Sequence, residues 1–369
     1  MTTIYLDNQA TTPLAPEALD AMLPLLKDNF GNPHSSHVMG RQAAAAVAVA
    51  REQVASLLPR NGRVIFTSSA TEAINLAMGV VRNMVSQGRD QIAILDTEHA
   101  AVRDTALYYG TLGFETSRIP VDPQGLVVLE HLEACFGSKT ALVGAMLVNN
   151  EIGVIQPVEQ IAEMAHRAGA LMLCDAVQGF GRIDMPQQAD LIALSGHKIY
   201  GPKGIGALWV RDDIEVPPLI HGGGQEQGGR SGTLSPALCA GLGVAAKLCA
   251  ERREEDRVHI ASLADKARSL FGDWTVNGSL DQRYPGNLNI RRDGLDVGRL
   301  MSDVRGVAFS AGSACASGSG RPSHVLAALG LQPTQIKSSI RLGFGRYTSI
   351  EEVEQAAHLI NQAAEKYLS

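Results

Sequence analysis

The chain has 369 residues, 45% of them hydrophobic and 19% charged, which is apolar content for a large core and length for two domains. Its 38 acidic and 32 basic side chains leave a formal net charge of −6, a balance that invites neither nucleic acid nor an anionic membrane. No apolar run approaches the roughly 18 residues of a spanning helix, and Met1 to Asp7 lack the basic stretch and apolar core of a secretory signal, so a cytoplasmic enzyme is expected.

From about residue 40 to residue 210, helical and strand patterns alternate, the signature of a parallel sheet with crossover helices. Arg41 to Leu58 is alanine-rich and reads as a helix; its run Ala43-Ala44-Ala45-Ala46 is helix propensity and nothing more. Val64 to Thr67 is a short buried strand, and Thr71 to Val85 is the helix after it. The turn Thr67-Ser68-Ser69-Ala70-Thr71-Glu72 supports two readings together. It is an ordinary cap, with Ser68 or Ser69 capping and Glu72 in the first turn, and it is a phosphate cradle, because the first amides of a helix are unpaired and its dipole favours an anion.

Further strands follow at Ile92 to Leu95, Ala141 to Val148 and Leu171 to Asp175, with a crossover helix at Val158 to Ala168. After the first of these comes Asp96-Thr97-Glu98-His99, whose imidazole either lies flat against a planar ligand or serves as a satisfied structural group. After the second, Asn149 and Asn150 are available to donate to an anionic ring oxygen. The third ends in the carboxylate of Asp175, followed by Gln178. A last apolar run, Ala189 to Leu194, leads into Ser195-Gly196-His197-Lys198 and the glycines at positions 201, 204 and 206.

A lysine held at a strand end in a partly dry pocket loses some preference for its charged form, and a neutral amine attacks an aldehyde. Pyridoxal 5′-phosphate needs such a lysine and an acid that keeps its ring nitrogen protonated, so Lys198 with Asp175 marks a candidate site for it. Four polar strand ends then share one sheet edge, where open α/β folds bind ligands. His221-Gly222-Gly223-Gly224 resembles an esterase oxyanion loop, but the chain has no Gly-x-Ser-x-Gly elbow, no Gly-x-Gly-x-x-Gly and no Walker loop. The glycine-rich run through Gly228 to Thr233 reads as a mobile loop at an interface.

The charge cluster from Glu251 to Arg257 interrupts the pattern and reads as a solvated helix face near a domain boundary. The five cysteines are odd in number and include no Cys-x-x-Cys spacing for zinc or a redox pair, so free thiols in a reducing compartment are expected. Cys315 stands apart. It lies among glycines, serines and alanines from Ser310 to Gly320, with little to bury it, and reads as a nucleophile on a flexible arm rather than as a packed thiol.

Together these residues resemble the cysteine desulfurases of the NifS/IscS type, within the class V aminotransferase group of fold-type I pyridoxal-phosphate enzymes. The resemblance runs nearly end to end, through Tyr5-Leu6-Asp7, Ala10-Thr11-Thr12-Pro13, Gly31-Asn32-Pro33, Thr71-Glu72, Thr97-Glu98-His99, Val148 to Gly153, Asp175 to Gln178, Ser195 to Gly206, Arg230 to Leu234, Gly312 to Cys315 and Ser339-Ile340-Arg341. It implies an α/β fold with a large domain, residues 16–252, built on a mostly parallel seven-stranded sheet. A smaller α/β domain, residues 1–15 and 253–369, would bear the mobile cysteine loop at about 310–322.

The resemblance further implies that Lys198 bonds the cofactor aldehyde, Asp175 faces the ring nitrogen, Gln178 and Asn150 meet the ring hydroxyl, and His99 stacks on the ring and moves protons. Ala70, Thr71, Ser195 and His197 would hold the phosphate, joined by Thr233 from the other subunit of a homodimer, while Arg341, helped by Asn32, would clamp the carboxylate of L-cysteine. The reaction would give L-alanine and a persulfide on Cys315, passed on to a protein acceptor such as an iron–sulfur scaffold. The long loop around Cys315 suggests delivery without an obligatory activator. Selenocysteine lyase, or another class V aminotransferase or lyase without the loop thiol, is the alternative. Asn8-Gln9 and Arg321 differ from the family's commoner residues and are expected to lie away from the chemistry. The end at Ser369, without the longer tail of housekeeping members, leaves the acceptor open.

Overall fold

The computed structural model describes residues 3–226, 229–311 and 322–368. The strands, in chain order, are β1 (Ile4–Tyr5), β2 (Gly62–Thr67), β3 (Gln91–Leu95), β4 (Glu115–Ile119), β5 (Thr140–Met146), β6 (Leu171–Asp175), β7 (Leu191–Ser195), β8 (Gly206–Arg211), β9 (Thr275–Val276), β10 (Asn287–Arg291), β11 (Val307–Ala308) and β12 (Ser339–Gly343). Short apolar runs such as Leu191 to Ser195 are buried along their whole length because helices cover both faces of the sheet they join.

That sheet has seven strands in the order β2-β8-β7-β6-β5-β3-β4. Strand β8 runs antiparallel to both its neighbours and the remaining pairs are parallel, so six strands end at one edge. One face packs against the helices Val38–Ala55, Val158–Arg167 and Pro236–Glu251, and the other against Ala70–Met78 and Ala100–Thr111. The edge strand β4 escapes a reading of apolar runs because its Glu-Thr-Ser-Arg-Ile sequence buries only Ile119 fully. Polar side chains on an edge strand discourage pairing with other chains.

The expected helix from Thr71 to Val85 is divided, one helix ending at Met78 and a short one covering Val81–Met84. Gly79 stands at the break, and glycine inside a helix costs roughly 1 kcal/mol relative to alanine.

A second unit has its own core. Its sheet, β12-β10-β9, is antiparallel, and the helices Arg253–Leu270, Val297–Asp303 and Ile350–Leu368 pack on it. The start of the chain belongs to this core: β1 pairs in parallel with β11, and Ile4 and Leu6 are buried among its side chains. The charge cluster is not a uniformly solvated face. Asp256 turns inward and accepts from Arg346, 7% exposed, at 2.7 Å, while that guanidinium stacks 4.4 Å above the Tyr200 ring.

Where β8 begins, Gly206 touches the turn that follows β2. A Cβ there would meet backbone atoms of Ser69, Leu194 and Ala70 at 2.6, 2.7 and 2.8 Å, and none can yield without moving a strand or a helix end. Gly206→Ala is therefore expected to cost about 1–3 kcal/mol, as overpacking of a dense interior does, read as a lowered urea midpoint.

Candidate active site

A cavity of about 270 Å³ opens where the parallel strands end. Five of the six co-directional strand ends give it side chains, the edge strand β4 being the exception: Ala70 and Thr71 follow β2, His99 follows β3, Asn150 follows β5, Asp175 and Gln178 come from the end of β6, and Ser195, His197 and Lys198 from the end of β7. The second unit adds Arg341, and the N-terminal segment adds Gln9 and Ala10.

The Lys198 ammonium donates to the carbonyls of Gln9 and Ala10 at 2.6 and 2.7 Å. Asn8-Gln9, expected to lie away from the chemistry, thus lends the site a backbone acceptor. Two residues after Lys198 the chain passes through Tyr200, the sole non-glycine residue with positive φ, 67°, among those described. Such a conformation persists where its surroundings over-determine it. Tyr200 N donates to Thr12 Oγ1, its carbonyl accepts from Ala15 N, and its hydroxyl accepts from Arg346 N at 2.6 Å.

Asp175 is 5% exposed, and one carboxylate oxygen accepts from Val177 N at 3.0 Å. Burial pushes its pKa up, while His99, the Val177 amide and Lys198 pull the other way. A buried acid in that position gains from a cationic N–H placed against it. The side chain of Gln178 is fixed at both ends, its amide donating to Gln9 O at 2.9 Å and its oxygen accepting from Arg182 at 2.9 Å. Of the asparagine pair, Asn150 lines the cavity and Asn149 does not. Asn149 braces the turn instead, donating to Thr97 O and accepting from the amides of Glu151 and Ile152.

Both readings of the β2 turn coexist. Ser69 caps the helix, accepting from Glu72 N at 3.2 Å, and Glu72 reaches back to Ser68 N, while Ala70 and Thr71 face the cavity at a helix start where amides lack intrahelical acceptors. Glu72 is offset by Arg230 at 2.8 Å; burial raises its pKa, but hydrogen bonds from Arg230 and Ser68 prevail and hold it below the usual range. This contact also fastens the glycine-rich run to the cradle. His197 lies 3.1 Å from Thr11 Oγ1, and burial together with Lys198 and Lys203 lowers its pKa to about 4.

Arg341 is 1% exposed and reaches the cavity from β12. Its guanidinium donates to Asn150 O at 2.9 Å and to Asp7 at 2.7 Å, and its Nε is buried without an acceptor among the described residues. His99 caps the helix Ala100–Thr111, its Nδ1 accepting from Ala101 N at 3.1 Å, which leaves the proton of a neutral ring on Nε2. Behind it, the fully buried Glu98 accepts from Met146 N, and burial with the nearby Asp175 raises its pKa well above the usual range. Neither Asp7 nor Glu98 stood out in the sequence beyond membership of a motif.

Two expected residues lie elsewhere. Asn32 is exposed and its side chain accepts from His34 N, and Thr233 is exposed outside the cavity. Cys315 lies outside the described residues, but both flanks of its segment are hydrogen-bonded to residues that stand directly behind the cavity lining: Asp7, which pairs with Arg341, Glu151, next to Asn150, and Glu98, next to His99. Ser310 Oγ donates to Asp7 at 2.9 Å, Ser323 Oγ donates to Glu151, and His324 Nε2 donates to Glu98 O at 2.8 Å.

The family described as Aminotransferase class-V matches residues 4–356 of the chain. The chain is 42% identical over 374 residues to a protein named Cysteine desulfurase IscS from Rickettsia akari (strain Hartford), covering 98% of this chain and 91% of that one. Among solved structures it resembles a NifS-like protein with a TM-score of 0.90 at 32% identity, covering 99% of both chains. It also resembles SspA in complex with cysteine, with a TM-score of 0.84 at 33% identity over 94% of this chain and 100% of that one.

Burial holds the pKa of His324, like that of His197, near 4 against an ordinary 6.5. Between those values each of these histidines binds a proton in the unfolded chain that the native chain refuses, so their contribution to stability is full above about pH 6.5 and is lost as pH drops through that window. It is opposite in sign to that of the buried acids whose pKa burial raises. The urea midpoint of His324→Gln is expected to fall less than that of the parent protein between pH 6.5 and 4. An equal fall in both proteins would remove His324 from the account.

Proposed function

We propose a division of labour for this chain, which belongs to the class-V aminotransferase family and is a cysteine desulfurase, in which one cavity holds pyridoxal 5′-phosphate and L-cysteine, and Cys315 takes the sulfur. The observation that bears most weight is the meeting of Lys198, Asp175 and Arg341 on a single cavity from three separate strands. The donor set fits the cofactor: an amine for its aldehyde, a buried acid for its ring nitrogen, and a helix start for its phosphate. When bound, that group supplies an electron sink for the carbon next to the substrate nitrogen.

Lys198 is assigned the cofactor aldehyde and then the substrate's α-proton, Asp175 the ring nitrogen, and Gln178 with Asn150 the ring hydroxyl. Ala70, Thr71, Ser195 and the neutral His197 are assigned the phosphate. His99, with its Nε2 proton, would lie against the ring and relay protons, and Arg341 would offer its buried Nε to the substrate carboxylate, while Asn32, which lies outside this chain's cavity, would add to that grip only from outside it. The Cys315 thiolate attacks the substrate sulfur. The new S–S bond forms as the substrate's C–S bond breaks, the departing electron pair stays with carbon, and the thiol proton ends there, so L-cysteine and thiolate give L-alanine and persulfide in balance. The pinning of Ser310 and Ser323 to Asp7 and Glu151 supports this role, because Asp7 pairs with the cavity-lining Arg341 and Glu151 follows the cavity-lining Asn150, so both described flanks of the segment stand close behind the cavity.

A homodimer belongs to the same proposal. Thr233 is exposed and outside its own cavity, as a residue lent to a partner's cavity would be, and Leu26, Phe30 and Val38 expose apolar surface at 58%, 71% and 57%. We assign residues 16–252 to the large domain and residues 1–15 with 253–369 to the small one, in keeping with the two cores. A protein acceptor such as an iron–sulfur scaffold and a cytoplasmic location complete the reading. The free thiols of Cys135, Cys174, Cys239 and Cys249 suit a reducing compartment.

Purified protein incubated with pyridoxal 5′-phosphate, L-cysteine and dithiothreitol is expected to release alanine and sulfide in equal amounts. Cys315→Ser should abolish sulfide, and Lys198→Ala should slow alanine formation by about 10²–10⁴-fold, the usual contribution of a positioned base. Cofactor binding without sulfide would favour an aminotransferase instead. Arg341→Lys should raise KM for L-cysteine about tenfold or more, since a charge-assisted hydrogen bond contributes roughly 1.5–3 kcal/mol.

A further inference from the structure

A second cavity, of about 360 Å³, lies on the seam between the two units, with walls from Gly181 to Asp184, from Ile199 and Tyr200, from the helix Arg253–Leu270 and from Arg283 to Pro285. Its volume is within the range of small-molecule sites, about 300–1,000 Å³. Ile183, Ile199, Ile260 and Pro285 make it largely apolar, and the ring of Tyr284 gives it a flat aromatic surface.

Its charges do not cancel. Of the acids on its walls, Asp184 pairs with Arg253 at 2.8 Å, and Asp256 pairs with Arg346 at 2.7 Å. Two guanidiniums remain without a carboxylate among the described residues. Arg283 donates only to the backbone carbonyls of Ser279, Asn287 and Asn277, and Arg182 only to Gln178 and to the Lys198 carbonyl, with the Tyr284 ring 5.2 Å from its centre. Burial, with Arg268 nearby, pushes Arg283 down to about 10, as expected where cationic charge lacks a counter-ion.

We propose that this seam cavity is a second ligand site, for a small aromatic monocarboxylate whose ring lies against the isoleucines and Tyr284 and whose carboxylate meets Arg182 and Arg283. The site is wired to the first cavity. Arg182 donates to Lys198 O at 2.6 Å and to Gln178 Oε1 at 2.9 Å, so a carboxylate that draws on Arg182 alters the support of both residues. Coupling of this kind is reciprocal between two ligands.

Benzoate, titrated into the cofactor-loaded protein by calorimetry and saturation-transfer NMR, is expected to bind one site per chain at least tenfold more tightly than benzamide, its neutral isostere. Ile183→Trp and Ala261→Phe fill the cavity from opposite units and should each abolish binding while retaining desulfurase activity. Arg341→Lys should leave benzoate binding intact. Saturating benzoate should also change the affinity of the cofactor-free protein for pyridoxal 5′-phosphate at least threefold, an effect absent from both filled variants. The proposal is overturned by no saturable binding, by equal affinity for benzamide, by binding that persists in either filled variant or is lost in Arg341→Lys, or by an unchanged cofactor affinity.

Discussion

The stretch from Leu6 to Ala15 is hydrogen-bonded on both sides, and the spacing of the reactive groups depends on it. Toward the smaller unit, Leu6 O accepts from Gly343 N, Asn8 donates to Gly343 O, Gln9 donates to Gly286 O, and Asp7 pairs with Arg341. Toward the larger sheet, Gln9 O accepts from both Gln178 and Lys198, Thr12 N and Oγ1 donate to His197 O, and Ala15 N donates to Tyr200 O. Neither unit alone fixes the distance between the amine of Lys198 and the guanidinium of Arg341. The strap between them does. It also explains why Tyr200 tolerates a left-handed backbone: nearly every polar group around it is bound to the strap or to Arg346.

Electrostatics then sorts the buried acids. Glu98, Asp175 and Glu151 lie close to the site and burial raises all three, Glu98 well above the usual carboxylate range. Glu98 has one oxygen on Met146 N and the other without a partner among the described residues, so it has the least to offset the burial of a charge. Asp175 has His99, Lys198 and the Val177 amide on its side, and it is the acid positioned to keep a charge opposite a cationic ligand. The Glu151 carboxylate receives the Ser323 hydroxyl, tying the far flank of the cysteine segment to the same cluster.

Much of this was legible in the amino-acid order. Apolar runs ending in Asp175 and Lys198 announced strands with chemistry at their tips, because burial between helices demands continuous hydrophobicity and leaves function to the exits. The edge strand β4 was not legible, since its polar residues break the run. Nor was the division of labour between Asn149 and Asn150, which depends on which side chain the turn points inward. The role of Gln9 was hidden for a different reason: it acts through its carbonyl, which every residue possesses. Asp256 looked solvated within its charge run, and only the return of the chain at Arg346 reveals its partner.

The strap has a further consequence for the order in which a nascent chain acquires its site. All seven strands of the large sheet have been synthesised by Arg211, and with them every residue that the reading above assigns to the cofactor ring. The carboxylate clamp arrives only with β12, and the segment from Leu6 to Ala15, made well before it, must wait for residues 335 positions away before Asn8 finds its Gly343 acceptor. Closing so long a loop is slow. A chain interrupted between Glu251 and Arg341 would therefore contain every strand of the large sheet and the helices on both its faces, yet lack the buried guanidinium that the reading above assigns to an amino-acid carboxylate.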